Sequence, residues 1–310
     1  MSCISVVIPC FNGARTLGGT IQSALKQDEV DCGIIVVDDG STDTSVAIAR
    51  SYIPDVQVLT GPNRGVSAVR NEGIAATKSD WILFLDADDL LKPGTLRRRL
   101  DTAQQASADV VICDWEEFGD DDNQPLEQSR IRSIDWRAIE ADAEIACATH
   151  AWATTSAILY RRSTVERIGG FREDLPIIQD ARFLFDAAFI GAQFAHSKHV
   201  GACYRVLPGS LSRRRPGEFW SDVLHNGKQI EALWRMRGTL SGNQVTALEG
   251  IYNHAARGLF AAQDQRYFDA VAAQRSLGRL LPRHSRVLEP VARRLGLNTA
   301  RKLASLVDRV

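Results

Sequence analysis

The sequence predicts an α/β fold: a mostly parallel sheet flanked by helices, followed by a helical C-terminal extension. Three observations carry this. Short apolar runs alternate with stretches of helical spacing through roughly the first hundred residues, the pattern of βαβ units. Acidic clusters stand directly after two of those runs, Asp38-Asp39 and Asp86-Ala87-Asp88. From about Pro216 strand signals stop and helix-like sequence runs to the end, so residues 1–215 read as one domain and 216–310 as the extension.

The elements follow in order. Ile4 to Cys10 reads as a buried strand, because it is almost wholly apolar and short. A helix is expected from about Ala14 to Lys26, a second strand over Gly33 to Val37 and a second helix over Asp43 to Arg50. Val56 to Leu59 is a short third strand, Val66 to Thr77 a helix and Trp81 to Leu85 a fourth strand. Pro93 is read as opening the next helix, since proline suits a first helical turn. Val110 to Cys113 is a fifth strand, and the acidic, turn-rich stretch from Glu116 to Gln128 is expected to be a surface loop. Ala157 to Tyr160 is a short strand, Thr164 to Ile168 a short helix, and Gln179 to Ile190 has helical spacing.

Composition bounds the function. The chain has 310 residues, 45% hydrophobic and 24% charged, enough to bury a sizeable core without disulfides or structural metal. A formal net charge of -1 argues against a general nucleic-acid binder. The six cysteines form no C-x-x-C pair and no zinc spacing, which fits reduced, buried thiols in the cytoplasm. Neither a signal peptide nor an apolar run long enough to span a bilayer is visible, so a cytoplasmic protein is expected. The stretch from Leu280 to Val310 carries seven Lys/Arg against Glu289 and Asp308. Two readings stand: a solvated helical face packing on the main domain, or an amphipathic basic helix in peripheral contact with the inner face of an anionic membrane.

The chemistry concentrates at strand ends, where open parallel sheets bind ligands. Asp38 and Asp39 follow Ile34-Ile35-Val36-Val37, where a carboxylate can accept from a base N–H or a ribose hydroxyl. The plainer reading is a strand-to-helix turn, with Gly40 in the turn and Ser41 or Thr42 as helix cap. Asp86 and Asp88 follow Trp81 to Leu85 at D-x-D spacing. Two like charges held close invite a cation, and Mg²⁺ or Mn²⁺ binds one or two carboxylates together with substrate phosphates. Asp89 caps the following helix or orients its neighbours. Asp180 stands at a helix start, either as a base within reach of an acceptor hydroxyl or as a charge favoured by the helix dipole. Arg64, Arg70 and Arg213 suit phosphate oxygens. His150 and Trp152 suit a sugar, or plain packing.

In order, these motifs resemble glycosyltransferase family 2, whose fold is the Rossmann-like GT-A type. The resemblance rests on Val6-Val7-Ile8-Pro9-Cys10-Phe11-Asn12, Val36 to Asp43, Asn63 to Gly73 and Phe84 to Asp89. It continues with Ile168-Gly169-Gly170-Phe171, Asp180, and Tyr204-Arg205 through Arg213, and so covers roughly residues 1–215. It implies a metal-dependent, inverting transferase with Mn²⁺ or Mg²⁺, a nucleotide-diphosphate sugar as donor, and a carbohydrate or lipid-linked acceptor in cell-surface polysaccharide or glycolipid synthesis. By the same resemblance, Asp39 with Pro9 and Phe11 holds the nucleotide base. Asp86 meets ribose or metal, Asp88 coordinates the metal, Asp180 is the general base and Arg213 lies near the diphosphate. One departure is Gln179, where the family often has Glu; it raises the alternative of a non-catalytic nucleotide-sugar-binding relative. A dinucleotide-binding dehydrogenase is disfavoured because no G-x-G-x-x-G follows the first strand, and a nucleotidyltransferase because no glycine-rich basic loop does.

Overall fold

The computed structural model describes residues 3–27, 30–119, 130–206 and 215–307. The chain divides into two compact units, Met1–Leu207 and Pro208–Val310.

The first unit is built on a mixed sheet. Strand β1 (Ile4–Cys10) is buried at every position, as its apolar run requires. It pairs in parallel with β2 (Cys32–Asp38) on one side and with β4 (Trp81–Phe84) on the other, and β3 (Val56–Thr60) adds to β2. Beyond β4 come β8 (Ile158–Arg161), β6 (Val110–Phe118), β9 (Phe194–Arg205) and the two-residue β5 (Leu90–Leu91), with β7 (Arg130–Arg132) on β6. The sequence predicted a mostly parallel sheet. The four strands β3-β2-β1-β4 are parallel and β6 pairs in parallel with β9, whereas β8 runs against both β4 and β6. Strand order reverses at β1, with β2 and β3 to one side and β4 to the other. The carboxyl ends of β1, β2 and β4 therefore open on the crevice where α/β sheets bind ligands.

Pro9 sits inside this central strand without breaking it. Val7 accepts from the Leu85 N–H and so faces β4; Pro9, two residues on, faces the same way. The β1–β4 ladder ends at Val7 and Phe84, so the missing N–H of Pro9 costs no ladder bond.

Seven helices accompany the sheet among the described residues of this unit: α1 (Leu17–Leu25), α2 (Ser45–Arg50), α3 (Val66–Ala76), α4 (Thr95–Ala106), α5 (Trp136–Thr149), α6 (Arg162–Ile168) and α7 (Gln179–Phe189). The even-numbered side of β1 (Ile4, Val6, Ile8) joins Leu17, Ile21, Leu83, Leu85, Leu96 and Leu100 in one core. Phe84 belongs to a separate aromatic nest, where Phe171 meets it edge-on at 4.8 Å and Phe183 stacks on Phe171 at 4.1 Å. Phe183 lies on α7, so this nest roots the helix that carries Asp180.

Several expectations needed correction. Glu116 to Phe118 is strand, not loop, because β6 extends to pair with both β7 and β9; residues 120–129 lie outside the described ones. Pro93 lies in a turn and α4 starts at Thr95 behind Gly94, whose left-handed φ of 69° no helix continues through. Neither Ser41 nor Thr42 caps α2. Ser41 Oγ instead accepts from the Asn12 N–H, and Asp43 takes the capping part by accepting from the Ser45 N–H.

The second unit is helical: α8 (Pro216–Met236), α9 (Gly242–Ala261), α10 (Tyr267–Ser276), α11 (Arg283–Leu295) and α12 (Leu297–Val307). Ser241 and Gln244 close a reciprocal capping box at the start of α9. Tyr252 and Trp234 are among the largest side chains fully buried in this unit.

Candidate active site

Asp38 ends β2 and Asp39 follows it; both are buried, but they do different work. Asp39 accepts from the backbone N–H groups of Arg64 (2.7 Å) and Gly65 (3.0 Å), so it pins the loop that leads into α3. Asp38 folds the turn after it by accepting from Gly40 and Ser41 through Oδ2, while its buried Oδ1 has no protein donor. Of the pair, Asp38 holds the unspent acceptor. Phe11 is 52% exposed just past the end of β1, so its ring is open to a ligand. Pro9, expected beside it, is buried in the sheet.

Past β4 the chain turns through Asp86, Ala87, Asp88 and Asp89. Asp86 and Asp88 are half-buried and Asp89 is fully buried. Burial, and then the charge of Asp86, push Asp88 up to about 6, with Arg205 and Arg15 opposing. A carboxylate raised in this way is short of positive charge. Asp89 lies well above the usual carboxylate range because it is sealed from water beside Asp88 and Asp86. It does not cap a helix. It accepts from Thr154 Oγ1 (3.1 Å), Ser156 Oγ (2.8 Å) and the Arg205 N–H (2.9 Å), tying the D-x-D turn to the residues before β8 and to the end of β9. Arg205 completes the clasp by donating from Nε to the Asp88 carbonyl.

Arg70 is the hinge of the site. The sequence offered it as a phosphate ligand, but its side chain is only 3% exposed and donates from Nη2 to Asp86 Oδ1 at 2.5 Å. It lies over the Phe171 ring and is the main charge opposing the rise in Asp180's pKa. Its Nε and Nη1 find no acceptor in the protein. One buried cation thus serves the two carboxylates that the sequence assigned to donor and acceptor.

Asp180, on the first turn of α7, has Oδ1 on the Ala181 N–H (2.8 Å) and Oδ2 on the Trp152 indole N–H (3.2 Å). Burial raises its pKa; Arg70 and these two donors pull it back toward ionisation. Gln179, the departure from the family pattern, spends its Oε1 on the Asp180 N–H, a local contact at the helix start. Trp152 is 39% exposed and meets Trp115 and Tyr204 edge-on. Tyr204 itself is pushed up to about 12 by burial and then by the charges of Asp89, Asp86, Asp88 and Asp180. Asn71 locks the turn at Phe171 in place. Its side-chain oxygen accepts from the Phe171 N–H and its amide donates to the Phe171 carbonyl. Gly170 adopts φ 98°, and a Cβ there would stand 2.7 Å from Asn71 Oδ1.

The structure therefore brings Asp86, Asp88, Arg70 and Asp180 to one place, with Asp38, Asp39 and Phe11 at the neighbouring strand ends. Arg64 pairs with Glu72 instead, and His150 is exposed beside Asp135. Arg213 lies outside the described residues. Sequence reasoning offered Asp89 as orienting its neighbours but not its partners Thr154, Ser156 and Arg205, and it missed the hydrogen bond from Trp152 to Asp180. The apolar strand before D-x-D-D was the only local signal for Asp89.

A paired carboxylate at the end of β4, a buried arginine bonded to one of the pair, and Asp180 within reach of that arginine's charge make up the arrangement to which the motifs pointed. The family model described as Glycosyl transferase family 2 matches residues 5–169, more than half of the chain, and the chain belongs to that family. Among curated relatives, it is 30% identical over 218 residues to the succinoglycan biosynthesis protein ExoO of Rhizobium meliloti (strain 1021), covering 68% of this chain and 62% of that one. It is 29% identical over 221 residues to the putative glycosyltransferase EpsH of Bacillus subtilis (strain 168), covering 68% and 63%. The matches thus span less than two thirds of those relatives' length. Among solved structures, S. aureus TarS 1-349 in complex with UDP-GlcNAc aligns with TM-score 0.60 at 16% identity over 89% of each chain. The mannosyltransferase PcManGT from Pyrobaculum calidifontis, in complex with GDP-Man and Mn²⁺, aligns with TM-score 0.59 at 18% identity over 97% of this chain and 83% of that one. At such identities these neighbours establish the fold. Among the described residues, no helix is long and apolar enough to cross a membrane.

Proposed function

We propose that this protein transfers a sugar from a nucleoside-diphosphate donor to a hydroxyl acceptor, with inversion at the anomeric carbon, in cell-surface polysaccharide or glycolipid synthesis. The observation that carries the reading is that Arg70, ion-paired to Asp86 beside Asp88, is also the main charge acting on Asp180, so the carboxylates assigned to donor and acceptor share one buried cation. Asp38, Asp39, Pro9 and Phe11 form the nucleotide end, and Arg213 is assigned to the diphosphate.

Asp180 takes the proton of the acceptor hydroxyl as that oxygen attacks the anomeric carbon. The bond from that carbon to the diphosphate oxygen breaks, and the electron pair leaves with the nucleoside diphosphate. Arg70 and the Trp152 N–H favour the ionised carboxylate that a base requires, while burial keeps its pKa high enough to accept a proton. The Trp152 and Ala181 donors fix its orientation.

The residues present fit a divalent cation. Among the described residues no cluster of three or more His, Cys, Asp and Glu gathers to cage a metal. Mg²⁺ or Mn²⁺ needs only one or two carboxylates when substrate phosphates supply further oxygens. Asp88, raised by burial and by Asp86, is a carboxylate whose charge lacks compensation, and Asp86 stands beside it. When bound there, the cation would neutralise charge on the departing diphosphate.

The test is release of nucleoside diphosphate from a panel of UDP-, GDP- and dTDP-sugars with Mn²⁺, Mg²⁺ or EDTA. The panel begins with the UDP- and GDP-sugars seen in the solved neighbours. Metal-dependent turnover of one donor is expected. Asp180→Asn should abolish transfer and leave donor binding intact; undiminished turnover in that variant would remove the base assignment.

A further inference from the structure

Charge is segregated along this chain. The whole sequence is nearly neutral at -1, yet residues 279–302 hold seven Lys/Arg and a single acid, Glu289. That acid points inward. It is 2% exposed, and its carboxylate is bridged by Arg275 and Arg293. The buried side of α11 is Ser285, Glu289 and Ala292. On the opposite side Arg283, Val287 and Arg294 fall within about 40° of one another at 3.6 residues per turn, and Arg286 lies next to them. Arg283, Arg286 and Arg294 are exposed and make no ion pair among the described residues. Arg279, by contrast, pairs with Glu249.

The same stretch leaves large apolar side chains in water. Leu280 is 78% exposed, Val287 54%, Leu295 55% and Leu303 43%. A solvated helical face would not need them, and a protein-packing face would not surround them with uncompensated arginines. Basic residues interleaved with exposed leucine and valine are the chemistry of a helix lying in the headgroup region of an anionic bilayer. There the apolar side chains enter the acyl boundary and the arginine stems reach back to lipid phosphates.

We propose that the outer face of α11, carrying Arg283, Arg286, Val287 and Arg294, is a docking surface for an anionic lipid membrane. The complementarity of charge selects this occupant. The unpaired groups are all cationic and a phospholipid surface is anionic, whereas a second copy of this chain would bring the same arginines against one another. The proposal is independent of the catalytic reading, since it uses no residue of the site.

The experiment is flotation of the full chain with vesicles of phosphatidylcholine alone and of phosphatidylcholine with about three parts in ten phosphatidylglycerol, at low and high salt. Binding to the anionic vesicles alone, released by salt, is expected. Combining Arg283→Gln, Arg286→Gln and Arg294→Gln should lower partitioning roughly a hundredfold, since each basic residue near such a surface contributes about fivefold. Val287→Asp should weaken binding without changing the melting curve, because the side chain is exposed in the free protein. Equal binding to both vesicles, or binding to neither, overturns the proposal. So does a concentration-dependent dimer that Val287→Asp disperses, which would make the face a self-association surface. Should the arginine variant fail to fold, the lipid and salt dependence of the unaltered protein still decides.

Discussion

Replacing Gly73 by Ala tests whether α3 is held against β1 as closely as the site requires. Gly73 is buried in the middle of the helix, and a Cβ built on it would stand 2.3 Å from Val7 Cγ1 and 3.2 Å from Cγ2. Carbon atoms in contact rest at about 3.5–4.0 Å, so the helix and strand must part by more than about 1 Å. Val7 cannot yield. Its strand is paired on both sides, and both of its methyl groups lie within reach of the new atom. Overpacking of this kind costs about 1–3 kcal/mol, set against a gain of about 1 kcal/mol from alanine's better helix propensity. The net expectation is a loss of up to about 2 kcal/mol. Activity should suffer more than stability. Arg70 lies one turn earlier on the same helix, and a misplacement of about 1 Å near the chemistry costs on the order of a hundredfold in rate. The assays are the urea midpoint at unchanged slope and turnover of the donor identified by the panel. Adding Val7→Ala, which removes both methyl groups, should restore part of each, with a coupling above about 0.5 kcal/mol. A Gly73→Ala protein more stable than the original and fully active would refute the reasoning, because propensity alone would then be deciding.

Three further outcomes follow from the site. Trp152→Phe keeps a ring but removes the N–H that lowers the pKa of Asp180. The acid limb of the pH–rate profile should therefore move to higher pH, and an unmoved limb would deny Trp152 its part in setting the base. Asp88→Asn should abolish activation by Mn²⁺ or Mg²⁺ while the fold survives, read by metal titration of turnover and by the melting curve; retained activation would shift the metal assignment to other groups. Asp89 has its pKa raised by folding, so its contribution to stability is present below the ordinary carboxylate range near about 4 and is lost as pH rises toward its folded value. Asp89→Asn carries no such titration, so its urea midpoint should gain on the parent's as pH increases. Parallel curves would mean that Asp89 is ionised in the native protein.

What the sequence disclosed and what it hid divide along a physical line. Strand β1, strand β4 and the acidic clusters after β2 and β4 were legible because each is a local event: a short apolar run meets a turn, and the carboxylates follow at once. β9 escaped notice because Lys198, His199, Tyr204 and Arg205 interrupt it and it is stabilised by pairing with β6 rather than by its own alternation. α5 escaped because its backbone breaks at Asp142, where φ -163° and ψ 93° interrupt the helical period.

The same line runs through the site. Read locally, Asp180 was a charge at a helix start, and the ordered run of motifs resembling the family made it a candidate base. What makes it suited to that part was not readable: its modifiers are Arg70, 110 positions earlier in the sequence, and Trp152, 28 positions earlier. Arg70 shows why the basic residues were the hardest to place. A lone arginine on a helix reads as a solvated charge or a phosphate ligand, and only the packing of α3 on β1, with Asn71 holding the Phe171 turn, buries it over the Phe171 ring and against Asp86. The chemistry of an isolated carboxylate is a property of its residue type. The chemistry of this pair, Asp86 and Asp180, is a property of Arg70, the buried cation that acts on both, and so of the fold.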